Sequence, residues 1–182
     1  MESMTGNEKR KNRESGFTLT ELAIATAVLM FGVVAVMRLV PLATNTDTVN
    51  RNYTTAMVIA QHFLDELTAQ PLKNPTVTDP VCGVMSLGAG ALGGTVMSPT
   101  ANYLTNFNGS AAVDFTQAAV AGYSCDYSDP NDVYSGNFHV RWGVVVSENG
   151  AGQVKWKRFV VGVKRDSPQF GFPVNVGAAV QR

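Results

Sequence analysis

Glu21 is the one carboxylate in a run of 21 residues, Phe17 to Met37, that is otherwise apolar apart from Thr18, Thr20 and Thr26. An acid in the middle of a lipid-embedded helix costs about 2.5–3.5 kcal/mol. Near the start of a helix it is cheaper, because the N-terminal end of the helix dipole favours negative charge. Glu21 therefore reads either as an interfacial acid or N-terminal cap, or as the partner of a positive charge brought to it.

Other residues invite chemistry less strongly. Cys82 and Cys125 have neither CxxC spacing nor a histidine cluster beside them, so they lack the four ligands of a structural zinc site. If the C-terminal part lies outside the cytoplasm they form a disulfide; otherwise they are two separate buried thiols. The stretch CDYSDPNDVYSG places Asp126, Asp129 and Asp132 near Ser128 and Asn131. Calcium takes oxygen donors of this kind, but the spacing is not that of an EF-hand, and a solvated turn is the plainer reading. Gly88, Gly90 and Gly93 fit G-x-G-x-x-G, but the chain continues as GTVMSPT to Pro99, without the helix a dinucleotide site needs, so a loop is expected. His62 and His139 are the only histidines, and no G-x-S-x-G, H-E-x-x-H or paired catalytic acids accompany them. Packing or surface roles are expected, with no enzyme activity and no cofactor.

The elements that position these residues follow from composition and periodicity. The chain has 182 residues, 45% hydrophobic and 15% charged, with a formal net charge of zero. That is low charge for a soluble domain and ordinary for one carrying a membrane segment. There is no basic field for nucleic acid. Residues 1–15 are polar, with basic residues clustered at Lys9–Arg13, and are expected to be disordered. Residues 17–37 as a helix span roughly 30 Å, the thickness of a bilayer's hydrocarbon core. Arg38 closes the run, and the basic cluster before it predicts a cytoplasmic N-terminus. Pro41 is expected to kink or interrupt the helix, with Thr44–Thr48 offering caps for a restart. Val49, Tyr53, Ala56, Ala60, Phe63 and Leu67 then recur in steps of four and three, one face of an amphipathic helix ending at Pro71.

Residues 71–135 are rich in Pro, Gly and small polar residues and read as loops with short strands, for instance at 81–87 and 111–115. In NFHVRWGVVVS the residues Phe138, Val140, Trp142, Val144 and Val146 alternate, and Asn149-Gly150 is a hairpin signal. Phe159, Val161 and Val163 alternate on the return strand, whose Lys155–Arg158 end suggests an exposed edge. Beyond Pro168 coil or a short last strand is expected.

Gly16-Phe17-Thr18-Leu19-Thr20-Glu21, after a short basic leader and before about 20 apolar residues, resembles the prepilin motif of type IV pilins and type II secretion pseudopilins. The helix AMVIAQHFLDELTAQP and the hairpin are similar to minor pilins of the pilus-modification type and to I-type minor pseudopilins. The resemblance implies an α+β fold, a long N-terminal helix packed on a small antiparallel sheet. It implies a leader at 1–16 cut between Gly16 and Phe17, N-methylation of Phe17, and Glu21 as the partner of the new amino terminus in its own or a neighbouring subunit. The remaining divisions would be a membrane and filament-core helix at 17–40, its amphipathic continuation at 41–70, a variable region at 71–136 and a hairpin with C-terminal segment at 137–182. The partners implied are other pilins or pseudopilins, a prepilin peptidase and methyltransferase, the inner-membrane assembly platform, and the membrane before assembly. The function implied is a non-enzymatic minor subunit that joins, primes or caps a filament. The alternatives are a filament-tip binding module for adhesion or DNA uptake, and a secretion pseudopilus component. Thr20, where an apolar residue is usual, and Arg38, where many pilins carry proline, depart from the family pattern. Loss of the leader would remove four basic and three acidic residues, taking the formal charge from zero to −1.

Overall fold

In the computed structural model the residues described are 17–90, 93–107, 110–128, 137–166 and 172–181. The described residues form one helix, α1 (Leu19–Ala69), followed by nine strands, an α+β layout like that of pilins. It divides into two compact units, Met1–Asn45 and Thr46–Arg182.

The described part of the first unit is the N-terminal portion of α1. Every side chain in it is exposed. The helix does not stop at Pro41, which lies inside it, and Thr44–Thr48 continue it instead of capping a restart. A proline deletes one backbone donor, and 51 residues of helix absorb one missing bond. The threonines that interrupt the apolar pattern turn their hydroxyls onto the helix itself. Thr26 Oγ1 donates to the carbonyls of Leu22 and Ala23 at 3.0 and 2.9 Å, and Thr44 Oγ1 to that of Pro41 at 3.0 Å. Threonine hydroxyls satisfied in this way leave the segment close to apolar in its demands on its surroundings.

In the second unit α1 lays one stripe on a sheet. Ala56, Ala60, Phe63 and Leu67 are fully buried, Ile59 nearly so, and Tyr53 packs at the margin. Asn52 is buried as well, where its Oδ1 accepts a hydrogen bond from Arg165.

The sheet is built around β7 (Phe138–Glu148) and β8 (Val154–Arg165), antiparallel from Phe138↔Arg165 to Glu148↔Val154. Their connection is a three-residue loop rather than a two-residue Asn-Gly turn. Asn149 N–H donates to Gln153 O at 3.0 Å, Gly152 N–H donates back to Asn149 O at 3.0 Å, and Gly152 takes the positive φ of 73°. This is a type I turn closed by a left-handed glycine, and Asn149 Oδ1 accepts the amides of Ala151 and Gln153 within it.

β9 (Val174–Gln181) covers the outer side of β8, from Trp156↔Gln181 to Val163↔Val174. The Lys155–Arg158 end of β8 is therefore interior to the sheet and not an edge. Lys157 is 2% exposed, and its ammonium donates to Asn74 O at 2.8 Å. On the other side β7 pairs in succession with β6 (Ser124–Tyr127) and β3 (Thr95–Ser98). Two hairpins complete the unit: β1 (Thr76–Asp79) with β2 (Gly83–Ser86), and β4 (Leu104–Phe107) with β5 (Ser110–Val113).

Alternation sends the side chains of β7 and β8 to both faces. Trp142, Val140, Val144, Val146, Phe159, Val161 and Val163 meet α1, with Met85 and Leu87 beside them. Val160 points the other way, into a smaller cluster with Tyr103 and Val113. Two glycines admit that second layer. A Cβ at Gly143 would lie 2.6 Å from Leu104, and one at Gly162 2.9 Å from both Val113 and Phe115.

Candidate functional site

The residues that start α1 form a reciprocal cap. Thr18 Oγ1 accepts the Glu21 backbone N–H at 3.3 Å, while Glu21 Oε2 accepts the Thr18 N–H at 3.0 Å and the Thr18 hydroxyl at 2.8 Å. This is a capping box, in which a threonine and a glutamate three residues on satisfy each other's free amides. The T-x-x-E spacing is its signature. Reading Glu21 alone as an acid among apolar residues passes over Thr18 as its partner. The carboxylate thus has a local role within one chain, whatever else binds it.

Phe17 precedes this cap and is 83% exposed. Gly16 lies outside the described residues. From Leu19 onward the helix presents Leu22, Ile24, Leu29, Phe31, Val36 and Leu42, all strongly exposed and distributed around the helix. α1 is the one helix among the described residues long and apolar enough, by length and composition, to cross a membrane.

In the second unit Cys82 and Cys125 are joined by a disulfide, Cα to Cα 5.4 Å. The bridge ties the turn between β1 and β2 to β6. Asp79 shapes that turn, its Oδ1 accepting the amides of Val81 and Cys82 at 2.7 and 2.6 Å. Trp142 Nε1 donates to Ser86 O at 2.9 Å, and Ser86 Oγ donates to Tyr123 OH at 2.8 Å. The region that reads as loops is therefore held to the sheet by a covalent bond and by polar contacts.

Asp126 lies on β6 and meets His139 Nδ1 at 2.6 Å, a pair on the exposed side of the sheet. Asp129 and Asp132, the other two members of the calcium candidate, lie outside the described residues. Among the described residues no helix follows Gly88 or Gly93; the next element is β3. Gly88 is buried, and an added Cβ would come within 3.0 Å of Val146. Its positive φ of 71° and this close packing both favour glycine there. His62 stands on α1 with its ring edge-on to Phe63 at 5.8 Å.

Residues 11–37 match the family model described as the prokaryotic N-terminal methylation motif. The match covers the residues that precede α1, the Thr18–Glu21 cap and the apolar helix up to Met37. The motif supports a type IV pilin-like or pseudopilin subunit and fits a precursor anchored in the inner membrane. Nothing matches among curated proteins or among solved structures.

Proposed function

We propose that this chain is a structural subunit of a type IV pilus-like filament, made as a membrane-anchored precursor. A prepilin peptidase would cut between Gly16 and Phe17, releasing residues 1–16, and the new Phe17 amine would be methylated. Residues 17–40 would rest in the membrane and then move into the filament core among the same helices of neighbouring subunits. The sheet-bearing unit would supply the surface. Within such a filament the chain is a minor subunit that joins, primes or caps the assembly, in a pilus or in a secretion pseudopilus.

One observation carries this reading. The methylation motif runs directly into a helix whose apolar side chains are exposed as far as Leu42, whereas the same helix buries its apolar stripe from Ala56 onward. An apolar surface of that extent needs a cover from outside the chain.

In the filament the Glu21 carboxylate would pair with a Phe17 ammonium, an ion pair that depends strongly on its partner once removed from water. The capping box gives a way to separate that charge from the cap. Glutamine also serves at the third helical position of a capping box, so Glu21→Gln keeps the cap and loses the charge, while Glu21→Ala loses both.

The test is mass spectrometry of the amino terminus of protein extracted from membranes, with filament incorporation scored in parallel. An N-methyl-phenylalanine start at residue 17 is expected for the wild type and both variants, with both variants poorly incorporated. An intact leader on the wild type would overturn the reading. Normal incorporation of Glu21→Gln with failure of Glu21→Ala would reduce Glu21 to a helix cap.

A further inference from the structure

The second unit gathers three ionizable side chains that filament assembly does not use. His62 and Glu66 are four residues apart on α1, so they stand one turn apart on the same face. Asp79 ends β1 and is 5% exposed. One donor atom from each, an imidazole nitrogen and two carboxylate oxygens, lie within 4.8 Å of one another.

Two further observations mark this cluster. Glu66 Oε2 is fully buried and has no hydrogen-bond partner. A buried oxygen left this way normally has a water, a proton or an ion to meet it. Asp79 is also held in place, because its Oδ1 takes two backbone amides, and the disulfide at Cys82 ties the same turn to β6. One acid is thus fixed by backbone, one stands on a helix beside it with one oxygen unpartnered, and an exposed histidine lies near both. Burial first, and then the neighbouring Asp79, push the Glu66 carboxyl above its ordinary range. A cation between the two acids would remove that conflict.

We propose that His62, Glu66 and Asp79 form a binding site for a divalent transition metal of the zinc class, tying α1 to the β1–β2 hairpin. The donor set selects the metal. One imidazole and two carboxylates suit zinc, which takes four ligands at about 2.0–2.2 Å and accepts water as the fourth. Calcium needs six to eight oxygens and gains nothing from the imidazole. The three donor atoms already lie within 4.8 Å of one another, so side-chain adjustment alone can bring them around one ion. His62 is the ligand free to move, because its side chain is on the exposed side of the helix. The rival arrangement is a proton shared between Glu66 and Asp79, which leaves His62 without a part.

The full-length chain in detergent, with its disulfide intact and stripped of metal by chelator, is titrated with zinc chloride by calorimetry and by thermal unfolding. One zinc per chain with micromolar or tighter affinity is expected, together with a raised melting temperature that chelator reverses. His62→Ala changes an exposed residue and keeps the fold, and it should weaken zinc by at least about tenfold, as should Glu66→Gln. His139→Ala should leave the affinity unchanged, which separates this site from the Asp126–His139 pair. Absence of zinc binding would overturn the site. So would binding that survives His62→Ala, binding that disappears with His139→Ala, or calcium binding as tight as zinc.

Discussion

The two parts of α1 have the same backbone and opposite surroundings. Up to Leu42 the large apolar side chains are exposed, Phe31 at 79% and Leu29 at 67%, whereas Phe63 and Leu67 are fully buried. The cause is the arrangement of apolar residues. The early part is apolar on all sides, so no single sheet face could cover it. The later part gathers most of its apolar residues into one stripe, which a sheet can cover, and leaves Met57 and Val58 exposed outside it. The chain therefore satisfies one part itself and leaves the other to lipid or to other helices. Intrinsic helix propensity distinguishes neither part; the source of the cover does.

The largest expected effect divides along that line. Phe63 sits against Trp142 at 6.4 Å and Tyr127 at 5.7 Å between ring centroids. Truncating such a buried aromatic costs about 3–5 kcal/mol. Phe63→Ala should therefore lower the unfolding free energy of the second unit by that amount, followed by tryptophan fluorescence in denaturant. Leu29→Ala should change it by less than about 0.5 kcal/mol, because that side chain is exposed. Equal losses from the two substitutions would break the comparison.

The disulfide gives the next largest effect. It closes a loop between residues 43 apart in sequence, which the chain-entropy argument values at about 4 kcal/mol. Replacing both cysteines by serine should destabilise the second unit by an amount of that order in the same denaturant experiment. Membrane insertion of the early helix should be unchanged, since that segment draws nothing from the bridge. A double variant that unfolds like the wild type would mean that the contacts of Trp142 and Ser86 already hold the region in place.

Much of this arrangement is legible from residue patterns, and the misses have physical causes. The apolar run, the stripe from Val49 to Leu67 and the alternation on β7 and β8 are periodic signals, and each appears as an element. β9 is less legible because VNVGAAVQ mixes small and polar residues with only three valines, and pairing with β8 makes it a strand. That pairing also explains why Lys155–Arg158 misleads, since charge on a strand suggests an edge only when no further strand follows. Pro41 misleads in the other direction, because the breaking power of one proline is local. At the N-terminus the Gly16-Phe17 and Glu21 pattern is explicit, and T-x-x-E also encodes the cap. The gathering of His62 and Glu66 with Asp79 is not legible. H-x-x-x-E shows two donors on one helix face, but the third arrives only when β1 folds back against α1.

The smallest expected effect concerns how each part treats a cation. Arg38 at the end of the apolar run is exposed, whereas Lys157 is buried within the sheet beside the Asn74 carbonyl. Burial pushes the Lys157 ammonium below its ordinary 10.5, and Glu148 opposes that only in part. The folded protein then binds fewer protons than the unfolded chain between the lowered value and 10.5, so stability should rise with pH across that alkaline window. Below the window the burial cost is present in full. Lys157→Met removes the charge and keeps the length of the side chain, so its unfolding free energy should lose this slope. At neutral pH the variant should fall within about 1 kcal/mol of the wild type, because relief of the buried charge offsets the lost bond to Asn74. Unfolding curves from pH 7 upward compare the two slopes. A variant that keeps the wild-type slope would show that water reaches the ammonium, and that the sheet, like the apolar helix, leaves its cation to solvent.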